Sequence, residues 1–277
     1  MKIGKVNVDE AIECLVVGSD SHSVGEALVG LERSLAALSG PWEMFFAGDM
    51  LAGGVDAIEM LDWLRAHAQG RIVRGNHDAL TSTKPKLEDG NRPGTEGQAL
   101  AVLSREGYEY IQQLPEQINI CWRGKKIRMM HGHQRPDGKE EVAWTSTPEE
   151  LTKIFGDPDF DLTIIAHTHY PFVRREGEHF IANAGSMAWP SVTVILEDGS
   201  VHSQAGDEPP ADGGDFRSNV LLVTEQAGEL RVEIVRFDYD RQAALEHLAK
   251  IEGLSSPVKY WRNLITTGVA DIRIMYG

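Results

Sequence analysis

The chain has 277 residues, 42% of them hydrophobic, and carries 42 acidic against 27 basic side chains, a formal charge of −15. A chain of this length buries enough surface to build a core without disulfides or a structural metal, as one large domain or two small ones. So acidic a surface repels phosphate backbones, which argues against a general nucleic-acid or anionic-membrane binder, and any polyanionic substrate must meet a locally positive site. Cys14 and Cys121, the two cysteines, lie far apart in apolar runs and read as reduced thiols of an intracellular protein. The opening MKIGKVNVDEAIE has no signal-like apolar core, and no apolar stretch approaches the roughly 20 residues of a membrane span, so a cytoplasmic location without membrane partners is expected.

In chain order, the apolar run 14–17 stops at Gly18-Ser19-Asp20-Ser21-His22, and residues 24–38 then show helical spacing through Leu28, Leu31, Leu35 and Leu38. Residues 44–47 stop at Gly48-Asp49, followed by helical spacing over 55–68 through Ile58, Leu61 and Leu64. Residues 71–73 stop at Arg74-Gly75-Asn76-His77-Asp78. Three strand-to-polar-turn units alternating with helices imply parallel strands joined by right-handed crossovers, with the three polar clusters along one sheet edge.

The second half reads as strands with short turns, where antiparallel pairing is expected. Residues 117–122 and 126–130 flank Arg123-Gly124-Lys125 as a hairpin whose second strand ends at His131-Gly132-His133. Residues 162–166 end at His167-Thr168-His169. Runs 192–196 and 200–202 flank the turn Glu197-Asp198-Gly199, and 220–224 with 230–237 form a closing pair. Residues 204–218, rich in Asp, Gly and Pro, read as a mobile surface loop, and 239–251 and 258–264 as terminal helices. The expected organisation is one domain with a core over about 12–238 and a C-terminal helical extension over 239–277.

Taken singly, each cluster also fits ordinary turn chemistry. Asp20-Ser21-His22 suits a helix cap, Gly48-Asp49 and Gly75-Asn76 are common turn pairs, and a lone histidine is more often a surface or core residue than a ligand. His167 and His169, two apart on extended chain, point the same way and can share a site. Turn chemistry does not explain why five strand ends in succession terminate in an imidazole, carboxylate or carboxamide, which together make a metal constellation.

The ordered series Asp20-x-His22, Gly48-Asp49, Gly75-Asn76-His77-Asp78, His131-Gly132 and His167-x-His169 resembles the calcineurin-like metallophosphoesterase superfamily. The resemblance spans residues 13–187 and includes Asn183-Ala184-Gly185-Ser186, similar to the Asn-Pro-Gly-Ser turn of the small bacterial and archaeal phosphodiesterase-like branch. It implies an α/β fold, a four-layered α/β/β/α sandwich with two mixed sheets. It also implies two divalent metal ions, one held by Asp20, His22, Asp49 and His169 and the other by Asp49, Asn76, His131 and His167, with Asp49 bridging. Ligands of oxygen and nitrogen without thiolate favour Mn, Fe, Zn or Co, with Mn²⁺ the leading choice.

The implied reaction is hydrolysis of a phosphoric ester by a hydroxide held on the binuclear metal site, with His77 as general acid toward the leaving oxygen. The expected substrate is a small phosphoester, nucleotide-like, and stable nucleic-acid binding is not expected. The alternative is a non-catalytic, metal-binding interaction scaffold on the same fold. One departure bears on His77: many relatives read Gly-Asp-x-x-Asp, whose last Asp orients this histidine, and here Ala52 occupies that position, leaving Asp78 or the backbone to orient it. The signature Gly-Asp-x-x-Asp-Arg-Gly of the protein serine/threonine phosphatases is missing. His133 has no clear counterpart and reads as peripheral. Arg74, Arg135 and Lys139 are candidate phosphate contacts or solvated loop charges, and the polar segment 81–95, with Lys84, Lys86 and Arg92, is a candidate lid or a plain connection.

Overall fold

Strand β2 (Cys14–Gly18) is buried along its whole length, so its alternate side chains must serve two different cores. In the computed structural model, which describes residues 1–83, 102–138, 140–206, 214–250 and 258–276, they do. Leu15 and Val17, with Phe45 of β3 (Trp42–Phe46) and Leu221 and Val223 of β11 (Ser218–Gln226), face Ile118, Ile120 and Trp122 of β4 (Gln117–Trp122) and Ile127 and Met129 of β5 (Lys125–Met130). Cys14, Val16, Met44 and Phe46 point the other way, onto Leu28, Leu31 and Leu35 of α1 (Gly25–Leu35) and Met60, Leu61 and Leu64 of α2 (Ala57–Ala68).

The first sheet has four strands in the order β12-β11-β2-β3, where β12 is Glu229–Phe237 and β2 and β3 run parallel. The second has six, β1-β4-β5-β6-β8-β7, with β1 (Ile3–Asn7), β6 (Leu162–Ile165), β7 (Phe172–Glu176) and β8 (His179–Asn183). Its outer face packs Ile165, Ile181 and Phe172 on Leu151 and Phe155 of a helix over Pro148–Phe155. The layers are therefore helices, sheet, sheet, helix, as the resemblance implied.

Two expectations need correction. Residues 71–73 do not form a full strand: Ile72 makes a single parallel bridge to Phe46, after which Arg74 turns away to bond the Pro115 carbonyl, and a helix, α3 (Asn76–Thr83), starts at once. Antiparallel pairing does not run through the second half either, since β6 pairs in parallel with both β5 and β8. The reason is the crossover helix at Pro148–Phe155 between β5 and β6, whose capping box, Thr147 with Glu150, closes both sides of its first turn. The chain between β3 and β5 also holds α4 (Arg105–Gln113), so that crossover helix is α5.

Beyond the sandwich, β9 (Thr193–Ile195), β10 (Val201–Ser203) and β13 (Val269–Asp271) form a three-stranded sheet in the order β10-β9-β13. The C-terminal part is thus not all helical: α6 (Arg241–Ala249) and α7 (Val258–Thr267) lead into β13 before α8 (Ile272–Tyr276). Of the two loops singled out in the sequence, residues 84–95 of the first and 207–213 of the second lie outside the described residues, as does Lys139.

Both cysteines are free, Cys14 buried and Cys121 exposed. Burial pushes the Cys14 thiol up to about 11, with the Glu233 charge adding to the shift. At pH 8 the native protein should therefore react with a disulfide reagent at one thiol, Cys121, and at two once unfolded. Two fast native equivalents would show that the outer face of β2 opens readily.

Candidate metal centre

The strand ends meet where the parallel pairs finish level with one another. Gly18 of β2 pairs with Phe46 of β3, and Ile165 of β6 with Asn183 of β8, so the segments that follow emerge together at one edge of the two sheets. The Asp20 and His22 amides donate to the Gly48 and Asp49 carbonyls at 2.9 and 3.2 Å, tying the first two loops to each other. Glycine is needed at Gly75, where an added Cβ would lie 2.0 Å from Asp49 Oδ1 and 2.4 Å from its amide nitrogen.

Asp20, His22, Asp49, His167 and His169, five of the seven candidate ligands, have φ between 47° and 69°. That left-handed region is tolerated by Asp and His better than by most side chains, and it turns a strand-end side chain back toward the edge it has just left. Neighbours hold it there. Asp78, fully buried, accepts the amides of Asp49 and Gly75 on Oδ2 at 2.9 and 3.0 Å and those of Met50 and Leu51 on Oδ1 at 3.1 and 3.2 Å. Ser186 Oγ donates to the Asp20 carbonyl at 2.8 Å, and Asn183 Nδ2 to the Ala166 carbonyl at 2.8 Å. Asp49 Oδ1 accepts the His77 amide, one of the free N–H groups of the first turn of α3, at 2.9 Å, so the other oxygen is left for the cluster.

Each of the four imidazoles has one ring nitrogen against a backbone carbonyl: His22 Nδ1 on Ala52 at 3.0 Å, His131 Nδ1 on Ala47 at 2.8 Å, His167 Nε2 on Val142 at 3.1 Å and His169 Nδ1 on Trp189 at 2.9 Å. A carbonyl only accepts, so each contact puts the proton on that nitrogen and leaves the other as a lone pair. Those lone pairs converge. His22 Nε2 faces His169 Nε2 at 3.2 Å, and Asp20 Oδ1 lies 3.1 Å from the latter and 3.7 Å from the former. Asn76 Oδ1 lies 3.0 Å from His131 Nε2 and 3.1 Å from His167 Nδ1, while Asp49 Oδ2 is 3.2 Å from His131 Nε2.

Both Asp20 oxygens are buried without a hydrogen-bond partner. Acceptors at such distances repel unless positive charge lies among them, and donor atoms of Asp20, His22 and His169, and of Asp20, Asp49 and His131, all fall within 4.8 Å of one another. The donor set of oxygen and nitrogen fits first-row divalent cations. All seven residues named in the sequence thus come to one place.

The electrostatics agree. Burial lowers His22, and it carries His167 down to about 3 with His131 adding to the effect, so both rings are neutral. Burial also opposes charge on His131, but Asp49 outweighs it and pushes that ring up to about 10. In the absence of a cation the cluster takes up a proton in its place. Burial alone would raise Asp49, yet His131 and His77 hold it well below the ordinary carboxylate range.

His77 sits edge-on to His22, ring centroids 5.2 Å apart, and is half-buried beside the cluster. Asp78 has another task than the one suggested for it, since its oxygens bind the backbone amides of residues 49–51 and 75. Sequence reasoning passed over that role, although an Asp three residues after the helix-capping Gly75 is a capping signal. His133 is nearer the cluster than expected, 5.5 Å from His131 and 6.3 Å from His167 between ring centroids. Arg74 pairs with Glu116 at 3.1 Å and Arg135 with Glu140 at 3.0 Å, so both guanidinium groups are engaged by carboxylates.

A sequence model described as the calcineurin-like phosphoesterase superfamily domain matches residues 14–198. The chain is 26% identical over 243 residues to an uncharacterised protein of Methanocaldococcus jannaschii, covering 85% of this chain and 92% of that one. Among solved structures it is similar to a metallophosphoesterase from Sphaerobacter thermophilus, with a TM-score of 0.67 at 16% identity over 92% of this chain and all of that one. A hypothetical protein from Pyrococcus horikoshii OT3 gives 0.65 at 17% identity, over 88% and 95%.

Replacing Asp78 by Asn removes one of the two acceptor oxygens and puts an NH₂ against two of the four amides. Each buried donor left without a partner costs about 1–3 kcal/mol, so Asp78→Asn should destabilise the protein by at least about 2 kcal/mol in urea unfolding. A change below 0.5 kcal/mol, a rough threshold for a surface substitution, would remove Asp78 from its bracing role.

Proposed function

Because the chain belongs to the calcineurin-like phosphoesterase superfamily, we propose that it hydrolyses small, nucleotide-like phosphoric esters with two divalent cations, Mn²⁺ foremost, in the cluster of strand-end ligands. The observation that carries this reading is the convergence of acceptor atoms, in which four histidines with carbonyl-fixed tautomers aim lone pairs at two carboxylates and one amide oxygen. Asp20, His22, Asp49 and His169 would hold one cation and Asp49, Asn76, His131 and His167 the other. Bound there, the cations would polarise the phosphoryl oxygens and lower the pKa of a water so that it can attack phosphorus. Two divalent ions against two carboxylates leave a net positive pocket in an acidic protein, which is what draws an anionic ester to it.

The chain's own groups do the rest. The carbonyls of Ala47, Ala52, Val142 and Trp189 each take one ring N–H and so turn the other nitrogen of every ring toward the cations, and the proton that Asp49 draws to His131 is the one an entering cation would displace. Asp49 is held on one oxygen by the His77 amide and presents the other. The His77 ring, half-buried at the edge of the cluster, would give a proton to the leaving oxygen.

The first test is metal dependence. Dialysis against a strong chelator should abolish hydrolysis of bis-p-nitrophenyl phosphate, and Mn²⁺ should restore it. In Asp49→Asn, loss of the charge between the two ions should lower the affinity for both, read as metal equivalents retained after gel filtration. Full activity after exhaustive chelation, or two equivalents held by Asp49→Asn with unchanged affinity, would refute the reading.

The second test isolates His77. A general acid contributes about 10²- to 10⁴-fold where the leaving group is a poor one. His77→Asn should therefore keep its metals, retain much of its rate on p-nitrophenyl esters, and lose most of it on an ester whose leaving group is an alkoxide. Equal losses on the two substrates would show that His77 contacts a phosphoryl oxygen instead.

A further inference from the structure

A second group of metal-ligating side chains lies apart from the catalytic cluster and independent of the reading given for it. Glu26 in the first turn of α1, Asp56 capping α2 and His247 in the last turn of α6 bring donor atoms within 4.8 Å of one another. His247 Nδ1 stands 2.6 Å from Glu26 Oε1, and Asp56 Oδ2 accepts the Gly25 amide at 3.0 Å, leaving its other oxygen uncommitted. Among the described residues the only ion-pair partner of Glu26 is that histidine, and Asp56 has none.

The three residues line a small cleft with Ser23, Gly54 and Val55, some 10 Å³ open to the centre of a water-sized sphere. That is room for one ion or one water and too little for an organic ligand. Ser23 supplies an independent sign of a missing partner: it is wholly buried in the wall of this cleft, and its Oγ has no hydrogen-bond partner. A hydroxyl shut away from water with nothing to bond costs free energy, and an ion or an ion-bound water in the cleft would satisfy it. Burial raises the Glu26 carboxyl, with Asp56 and Asp240 adding to the shift against the opposing pull of His247. His247 lies in the last turn of α6, the helix end that favours cations.

We propose that Glu26, Asp56 and His247, together with the Ser23 hydroxyl directly or through a water, form a site for a further divalent cation. Two carboxylates and an imidazole without thiolate suit Zn²⁺, Mn²⁺ or Co²⁺. The ion joins α6 of the C-terminal segment to the two loops that carry His22 and Ala52. Those loops are already clamped together, Gly54 N on the His22 carbonyl at 2.6 Å and Asp56 N on the Ser23 carbonyl at 3.0 Å, and an added Cβ at Gly54 would lie 2.1 Å from that Ser23 oxygen. A cation at Asp56 thus fastens α6 to the chain one residue beyond a catalytic ligand.

The test is Zn²⁺ stoichiometry by equilibrium dialysis with elemental analysis on the full chain, on His247→Ala and on Glu26→Gln. Glu26→Gln keeps the shape of the side chain and guards against a folding defect, which circular dichroism of the metal-free variants would reveal. The full chain should bind one equivalent more than either variant, and the rise in Tm produced by Zn²⁺ should shrink in both. Asp49→Asn, which tests the catalytic cluster, should keep this extra equivalent, so the two readings fail separately. Equal equivalents in the full chain and in either folded variant would show that His247 and Glu26 form an ion pair only, and would overturn the proposal.

Discussion

Lone pairs that face one another across 3.0 to 3.2 Å, as they do between His22 and His169, Asn76 and His131, and Asn76 and His167, cannot be a resting arrangement of a neutral core. Everything near the strand ends is organised around positive charge. The carbonyls that take the outer N–H of each histidine give it one role, Asp20 and Asp49 are held below the ordinary carboxylate range, and Asp49 pushes up the ring of His131 beside it. A proton answers the same demand as a cation, but it satisfies only one pair of acceptors at a time, whereas a metal ion can take four or more.

Holding acceptors together has a mechanical side. Five candidate ligands in the left-handed region carry about 1 kcal/mol of strain or more each, a total of the order of 5 kcal/mol, which is a substantial part of the net stability of a domain. The strain survives because the loops are braced from behind. Asp78 fixes the amides of residues 49–51 and 75, Ser186 fixes Asp20 and then accepts the amides of Ala188 and Trp189, and Asn183 fixes the end of β6. None of these three is among the candidate ligands, and all three are buried polar residues whose partners are backbone, apart from the Thr168 hydroxyl that Asn183 also reaches. Replacing any of them by an apolar residue of similar size would leave the ligands present in sequence and wrongly aimed in space.

This division explains what could be read from the sequence. The seven candidate ligands were legible as a cluster because the loops that carry them follow apolar runs and each is an Asp, Asn or His, a pattern that depends on local order along the chain. The strands β2, β3, β4, β5, β11 and β12 were legible for the same reason, as short apolar runs between turn residues. Strands β1, β7 and β8 were not. β1 alternates between exposed and half-buried residues at a sheet edge, and the outer ends of β7 and β8 carry Arg, Glu and His, so their pairing rests on backbone more than on side-chain pattern. The parallel pairing of β6 was missed because the crossover helix α5 is only eight residues long, too short for periodicity, although Thr147-Pro148-Glu149-Glu150 announces its start. Asp78 was noticed for a role toward His77, and its task toward four amides depends on how distant loops approach, which no local pattern encodes.

The same logic reaches past the segment that matches the family. That match ends at residue 198, yet the tryptophan stacked on His22 is itself backed from beyond it. His22 stacks on Trp189 at 4.5 Å, Trp189 stacks on Trp261 of α7 at 4.1 Å, and Tyr239 donates its hydroxyl proton to the Ala188 carbonyl at 2.8 Å. An imidazole held by one carbonyl contact can still swing about it, and stacking removes that freedom by fixing the plane of the ring. β13 pairs in parallel with β9, close after Trp189, and anchors the end of α7 to the same region, so Trp261 is held from both ends of its helix face. None of the seven candidate ligands of the strand-end cluster lies in the C-terminal segment, but the orientation of His22 depends on it, and in that sense the cluster extends as far as the residues that keep its donors pointed inward.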